Sequence, residues 1–97
     1  MTRTREEIEE ILRRFKPVLA EKFKVKEIGI FGSYVRGEES EESDVDILVD
    51  FYEPIGWEFV DFKEFLEEVL DKEVDLVTVE ALKPQLREEI LKEVVYA

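Results

Sequence analysis

The spacing of apolar residues along the chain predicts helices that alternate with short strands. Apolar residues recur at helical spacing over Arg5–Lys22, directly after a capping box formed by Thr4 and Glu7. The same periodicity predicts a helix over Trp57–Leu70. Pro84 suits the first turn of a last helix, because proline is favoured at that position.

The segments between these helices favour strands and one short helical turn. Strands are expected at Glu27–Phe31, Val45–Phe51 and Val74–Val79, where apolar and β-branched residues are enriched. Ser33–Arg36 fits a single helical turn that ends at Gly37. The predicted order is therefore α-β-α-β-α-β-α.

The length and composition predict one soluble domain. The chain has 97 residues, of which 44% are hydrophobic, so we expect a single domain that spans residues 1–97. Its start, Met1–Glu10, is polar and charged, unlike a signal peptide. No apolar run approaches the roughly 20 residues of a membrane span. A cytoplasmic location with no membrane partner is expected.

The charge balance narrows the classes of partner and chemistry. With 14 basic and 26 acidic residues, the chain carries a net charge of −12. Because nucleic-acid affinity depends largely on clustered Lys and Arg, we expect no direct nucleic-acid binding and favour a basic protein partner. There is no Cys and no His, so acid–base or metal chemistry must use carboxylates. The absence of Asn beside abundant Glu and Lys is typical of a thermophile.

Gly32 and Ser33 come directly after the first predicted strand and open the helical turn. A glycine at this point lets the backbone approach a ligand closely, and the amides at the start of a helix favour an anion. The Ser33 hydroxyl would add a hydrogen-bond donor for a phosphate oxygen. Taken alone, a Gly-Ser pair after a strand is more often an ordinary turn.

Asp44 and Asp46 lie two positions apart at the beginning of the second predicted strand. Because strand side chains alternate, both carboxylates point to the same face, roughly 7 Å apart, while Val45 and Ile47 face the core. Two carboxylates with phosphate oxygens commonly hold magnesium, and a cation would relieve their repulsion. In a chain with 26 acidic residues, incidental acids at a solvated strand start are an equally good interpretation of this pair alone.

Asp75 is the second residue of the third predicted strand, between Val74 and Leu76. A charged residue inside an apolar strand is costly if it is buried without a partner. Asp75 therefore either faces water at the end of its strand or belongs to a charged site. Because Asp44 also lies at the start of its strand, the second interpretation gains support.

Together these residues form a longer string over positions 32–46, which reads Gly-Ser, ten residues, then Asp-Val-Asp. This string resembles the signature of the DNA polymerase beta-like nucleotidyltransferase superfamily. Gly32–Gly37 and Ser43–Val49, with the later Asp75, are similar to the minimal nucleotidyltransferase (MNT) family over nearly the whole chain. Tyr34 departs from the family, which often has a small or basic residue there, without affecting a catalytic position.

The resemblance implies an α+β nucleotidyltransferase fold, with a small mixed sheet covered by helices. Ser33 follows the first strand and Asp44 begins the second, so these strands should be antiparallel if both residues reach one triphosphate. Asp75 begins the third strand and must meet Asp44, so the second and third strands should be parallel. Trp57–Leu70 would then be the right-handed crossover between them.

In this family the reaction is in-line transfer of a nucleotidyl group, here from ATP, with two Mg²⁺ ions. By position, Asp44 and Asp46 are expected to bind both ions. Asp75 is expected to complete the metal site of the catalytic ion and to help deprotonate the acceptor hydroxyl. The nucleotide-binding residues implied in the same way are Gly32, Ser33, Arg36 and Ser43. Ser43 is expected to orient Asp44 by a hydrogen bond, whereas Arg36 either contacts phosphate or pairs with the Glu38–Glu42 run.

The resemblance also implies a partner. MNT proteins are typically paired with a HEPN-domain ribonuclease toxin, and characterised members transfer AMP from ATP to a tyrosine of that toxin. Three other functions stay open at this point: an antitoxin that acts by complex formation alone, an enzyme that modifies a small hydroxylated molecule with a partner subunit, and a module without chemistry. Trp57, Phe59 and Phe62 are candidates for the partner surface, although at least two are expected in the core. Val94–Tyr96 is another candidate.

Overall fold

The computed structural model of the chain describes residues 3–97 and contains one mixed sheet with helices packed on it. The elements are α1 (Arg5–Phe23), β1 (Val25–Phe31), α2 (Ser33–Arg36), β2 (Val45–Phe51), α3 (Glu58–Leu70), β3 (Val74–Thr78), α4 (Pro84–Glu93) and β4 (Val95–Tyr96). A short 3₁₀ turn, Val79–Ala81, follows β3. The order of elements agrees with the predicted one, with an additional strand at the end.

The strand order β3-β2-β1-β4 agrees with the expected pairing. β1 and β2 are antiparallel, with Phe31 opposite Asp46. β2 and β3 are parallel, with Asp46 opposite Asp75, and α3 connects the two strands. The ends of the strands that carry Gly32, Asp44 and Asp75 therefore lie at one edge of the sheet.

The predicted capping box starts α1. The Glu7 amide donates to Thr4 Oγ1 at 3.1 Å, and the Thr4 amide donates to Glu7 Oε1 at 3.3 Å. Two amides that the helix itself leaves without partners are thereby satisfied. The helix ends at Lys24, which adopts a left-handed conformation with φ of 61°.

One face of the sheet carries the hydrophobic core, because α1 and α3 pack against it. The fully buried side chains of these two helices are Ile8, Leu12, Leu19, Phe62, Leu66 and Leu70. They meet alternate residues of the central strands, including Val45, Ile47 and Val49. Each such burial contributes about 1.5–3 kcal/mol, so this face supplies most of the hydrophobic stabilisation.

The other face is covered thinly. In the part of the chain that the structure describes, α4 has no fully buried residue, and Leu86 remains 50% exposed. β4, which the sequence interpretation did not foresee, pairs Tyr96 with Gly29. A Cβ atom on Gly29 would lie 2.7 Å from Val94 Cγ2, so the glycine makes room for the returning chain. Val94–Tyr96 therefore leads into an edge strand and is not a free tail.

The three aromatic residues considered for a partner surface have different environments. Phe62 is fully buried, with its ring centroid 5.3 Å from that of Phe23, and Phe59 is half-buried. Trp57, which precedes α3, is 91% exposed. Between residues 3 and 97, no helix combines the length and apolar character that crossing a bilayer requires.

Candidate active site

The candidate residues converge at the edge where β1 ends and where β2 and β3 begin. Ser33 opens α2 directly after β1, and Asp44 immediately precedes β2. Asp46 and Asp75 are register partners on adjacent parallel strands. Residues that are distant in sequence are thus brought together by the antiparallel and parallel pairings around β2.

Gly32 brings the turn into contact with the carboxylates. Its φ of +76° lies in the left-handed region, and a Cβ atom there would come within 2.0 Å of Asp46 Oδ2. The Gly32 carbonyl accepts hydrogen bonds from the amides of Val35 and Arg36 at 3.0 and 3.1 Å, which fixes the turn. Any side chain at this position would displace the carboxylate, so glycine is required for both conformation and space.

Like charges meet at Asp46. Burial raises the pKa of the half-buried Asp46 carboxyl above its ordinary value, and the negative charges of Asp75 and Asp44 raise it further. The nearby Arg36 opposes this rise in the pKa. Repulsion of this kind is what a bound cation would relieve.

Arg36 is held by two carboxylates. Its Nη1 donates to Glu93 Oε1 at 2.8 Å, and its Nε lies 3.4 Å from Glu38 Oε1. Pairing with the Glu38–Glu42 run was one of the two predicted roles of Arg36, and the structure shows it. Glu93 was missed by the sequence interpretation, because only the packing of α4 brings it to this edge. The hydrogen bond to Glu93 is the main cause of the raised pKa of Arg36.

Ser43 stabilises the loop before Asp44. Its Oγ accepts a hydrogen bond from the Ser40 amide at 2.9 Å and lies 3.2 Å from Ser40 Oγ. The hydroxyl is therefore engaged with Ser40, whereas the sequence interpretation expected a bond to Asp44. Ser43 thus sets the course of the backbone that delivers Asp44.

Lys72 brings a positive charge to this edge. It lines a cleft of about 400 Å³ together with Asp44 and Ser43, and its Nζ donates to the Glu41 carbonyl at 2.5 Å. Lys72 was not among the predicted site residues, since a lysine between α3 and β3 carries no local signal of a site. Its ammonium group thereby links the start of β3 to the loop that precedes Asp44.

Tyr34, the departure from the family pattern, is buried beside the site. The residue is 2% exposed, and its hydroxyl has no hydrogen-bond partner among the described residues. Burial raises the pKa of Tyr34 above its ordinary value, and the negative charges of Glu39 and Asp44 add to the rise. A buried hydroxyl without a partner is unfavourable, because it has lost its hydrogen bonds to water.

The carboxylate oxygens at this end of the sheet suit a hard divalent cation in type, but they are too few to hold one alone. Carboxylate oxygens are the ligands that Mg²⁺ prefers, and the mutual repulsion at Asp46 favours a cation. Within residues 3–97, however, no group of three or more potential ligands is close enough to hold a metal ion unaided. The residues therefore fit a magnesium ion that arrives with a phosphate-bearing ligand, because Mg²⁺ is commonly shared between one or two carboxylates and phosphate oxygens.

Comparison with known proteins agrees with this geometry. Residues 12–97 match the family described as nucleotidyltransferase domain. A relative from Thermococcus cleftensis, named protein adenylyltransferase MntA, is 54% identical over 94 residues, which cover 96% of this chain and 95% of the relative. A solved structure of a minimal nucleotidyltransferase superposes with a TM-score of 0.74 at 35% identity, over 91% of this chain and 93% of that one.

A second solved structure is a toxin–antitoxin complex with AMP-PNP. Its matching chain has a TM-score of 0.67 and 26% identity, over 95% of this chain and 70% of that one. The family match covers most of the sequence, and the relative at 54% identity spans nearly all of it. The chain therefore belongs to the nucleotidyltransferase domain family, in its minimal nucleotidyltransferase branch.

Proposed function

We propose that this chain is an antitoxin that transfers AMP from ATP to a tyrosine hydroxyl of a HEPN-domain toxin. The observation that carries the proposal is the contact between the Gly32 turn and the Asp46 carboxylate, where a Cβ atom would be 2.0 Å from Oδ2. A phosphate bound to the turn would lie directly beside the carboxylates. Nucleotidyl transfer needs this juxtaposition of phosphate and cation ligands.

Each residue at this edge then has a distinct role. Gly32 and Ser33 bind the β- and γ-phosphates through the turn that opens α2. Asp44 and Asp46 hold Mg²⁺, which neutralises the charge of the phosphates when it is bound. Asp75 accepts the proton of the attacking hydroxyl in this proposal, which its register pairing with Asp46 supports.

Arg36 and Ser43 support this arrangement. Arg36 lies close enough to lower the pKa of Asp46, so its guanidinium favours the ionised carboxylate that a cation requires. Ser43, through Ser40, holds the loop from which Asp44 projects. Nucleotide contact by either residue would add to these functions.

The identity of the acceptor rests on the relatives and on the size of the chain. The Thermococcus cleftensis relative is a protein adenylyltransferase by name, and the solved complex is a toxin–antitoxin pair with a nucleotide analogue. The part of the chain that the structure describes is one small domain, which leaves little room for an acceptor pocket of its own. A protein partner that carries its own hydroxyl to the site meets this limit.

The test uses this chain together with the product of the neighbouring gene, which we expect to be a HEPN-domain toxin. The purified pair is incubated with ATP and Mg²⁺, and the intact mass of the toxin is measured. We expect the toxin to gain one or more AMP units, on a tyrosine located by peptide mass spectrometry. The Asp44→Asn/Asp46→Asn variant should reduce the rate at least 100-fold, because an amide cannot replace the ionised ligands.

A matched control is Glu64→Gln/Glu68→Gln, which removes the same charge from exposed positions of α3. This variant should transfer AMP at the wild-type rate. A stable complex without any mass gain would replace the proposal with an antitoxin that acts by binding alone. If neither a complex nor a mass gain forms, a small hydroxylated acceptor becomes the better candidate.

A further inference from the structure

A cavity lies at the end of the sheet opposite the candidate active site. It has a volume of about 240 Å³ and forms where β2 and β3 end. The apolar part of its lining includes Phe51, Tyr52, Ile55, Phe59 and Val79. A cavity of about 150 Å³ can hold a benzene ring, so this one has room for a planar group of similar size.

Apolar side chains are exposed in the lining of the cavity and in the chain segment next to it. Tyr52 is 69% exposed, and Trp57, which lies between Ile55 and Phe59 in the chain, is 91% exposed. Val60, in the first turns of α3, is 54% exposed. Exposed tryptophan and tyrosine side chains beside a pocket are typical anchors of protein–protein interfaces.

The walls of the cavity are formed before any ligand binds. The Phe51 ring is in edge contact with Phe59 and with the core residue Phe62, at centroid distances of 6.5 and 5.6 Å. The Tyr52 amide donates to the Lys24 carbonyl at 2.8 Å. A preformed pocket saves the partner the entropic cost of ordering it.

The charges at the cavity indicate whether an anionic or a cationic ligand is favoured there. Asp50, Glu53 and Glu80 contribute to its lining, and no described lining residue is basic. The nearby Lys24 is engaged by the Glu53 carboxylate, which raises the pKa of Lys24. An anion such as a nucleotide phosphate is therefore disfavoured here, whereas a cation is attracted.

Aromatic walls and carboxylates together suit a guanidinium group. A planar guanidinium stacks on the faces of aromatic rings and bonds to carboxylates in a bidentate manner. We infer that the cavity docks an arginine-bearing segment of the protein partner, with the exposed Tyr52 and Trp57 packing against the residues beside that arginine. The inference rests on the proposed function for the existence of a protein partner.

The proposed docking site is distant from the candidate active site. From Asp46 to Phe51, β2 rises roughly 17 Å at about 3.3 Å per residue. A partner bound at both ends of the strand would be held by the cavity while its hydroxyl reaches the Asp75 end. The high affinity of an antitoxin and the turnover of an enzyme would then depend on different residues.

The first arm of the test measures partner affinity. Tyr52→Ala and Glu80→Arg change exposed residues at the cavity, and each should weaken binding of the HEPN-domain protein at least tenfold. The matched controls are Leu86→Ala and Glu88→Arg, which make the same kinds of change on exposed positions of α4. Melting temperatures are measured for all four variants, so that a loss of folding is not read as a loss of docking.

The second arm uses a small probe and needs no toxin. Acetyl-Gly-Arg-Gly-amide is titrated against the ¹⁵N-labelled chain, with the citrulline analogue as the uncharged control. The amide resonances of Tyr52, Phe59 and Val79 should shift with the arginine peptide and not with the citrulline peptide. Shifts at these positions support the inference even if the HEPN-domain protein proves not to be the partner.

The outcomes separate this inference from the proposed function. Toxin affinity that survives the cavity variants, or that falls only in the α4 variants, overturns the docking site and leaves AMP transfer standing. If the wild-type chain does not bind the toxin, the proposed function fails. The titration with the arginine peptide then decides alone whether the cavity binds arginine. An arginine peptide that moves no cavity resonance overturns the inference.

Discussion

The two ends of the sheet are built from different chemistry. At the end that carries Gly32, Asp44 and Asp75, charged groups crowd together, and burial and repulsion raise the pKa of Asp46. At the opposite end, aromatic rings such as Phe51 and Phe59 contact one another and line an open cavity. One end holds carboxylates that repel one another around the half-buried Asp46, whereas the other combines aromatic surface with the carboxylates that line the cavity.

This difference places the energetic cost of function at the catalytic end. Carboxylates held close together destabilise this end of the sheet, and the binding of a cation with phosphates, as proposed above, would relieve their repulsion. The buried core formed with α1 and α3 compensates for that cost. The aromatic end adds no comparable penalty, since exposed side chains contribute little to folding free energy.

Gly32→Ala should disturb the catalytic end most. The new Cβ atom would lie 2.0 Å from Asp46 Oδ2, and φ of +76° is unfavourable for alanine. We expect AMP transfer to fall at least 100-fold, with a loss of about 1–3 kcal/mol in the free energy of unfolding. Mass spectrometry of the toxin and urea denaturation measure the two effects.

Gly37→Ala separates the effect of backbone strain from the effect of a steric clash with Asp46. Gly37 has a similar φ of +74°, but no described atom lies within 4 Å of the position of its Cβ. This variant should show only the strain, about 1 kcal/mol, and should keep most of its activity. Equal activity losses in the two variants would show that Gly32 acts through backbone conformation and not through its closeness to Asp46.

Asp46→Asn should raise the melting temperature of the metal-free chain at neutral pH. An aspartate whose pKa is raised in the folded state destabilises that state while it is ionised, and Asp46 is such a residue. Because the site is partly open to solvent, we expect a modest rise of about 2–5 °C. The gain should shrink as pH falls through the raised pKa of Asp46 and should vanish below about pH 4, the ordinary range of aspartate.

Glu64→Gln supplies the control for net charge, since it neutralises an exposed carboxylate in the middle of α3. Its melting temperature should stay close to that of the wild type at every pH. An Asp46→Asn variant that is no more stable than Glu64→Gln at pH 7 would contradict the view that the catalytic end is under electrostatic strain.

The convergence of the candidate residues could be predicted from the sequence because its signals are local. Because side chains alternate along β2, Asp46 was predicted on the face of the sheet away from the core, which Ile47 faces. The spacing from Gly32 to Asp44 indicated the family. The requirement that Ser33, Asp44 and Asp75 meet one ligand then gave the strand directions correctly. The catalytic and metal-binding roles of these residues stay predictions.

The features that were missed depend on contacts between distant segments. Glu93 contacts Arg36 only because α4 packs beside α2. Lys72 contacts the Glu41 carbonyl only because the segment before β3 packs beside the loop between α2 and β2. β4 was missed as well, although a glycine in the middle of a predicted strand, Gly29, is a sign of close backbone approach. Short edge strands carry too few residues to show a period of their own.

Tyr34→Phe gives the smallest expected effect and tests the inner wall of the catalytic end. The Tyr34 hydroxyl is buried with no partner within residues 3–97, so its removal should raise the free energy of unfolding by about 0.5 kcal/mol. Tyr52→Phe removes a hydroxyl from a 69% exposed residue and should leave stability unchanged. Both are measured by urea denaturation in the metal-free state.

A clear loss of stability in Tyr34→Phe alone would mean that the hydroxyl has a partner in solution, with Glu39 and Asp44 the nearest charged candidates. Because Asp44 is a proposed cation ligand, a parallel loss of AMP transfer would then identify Tyr34 as a residue that positions it.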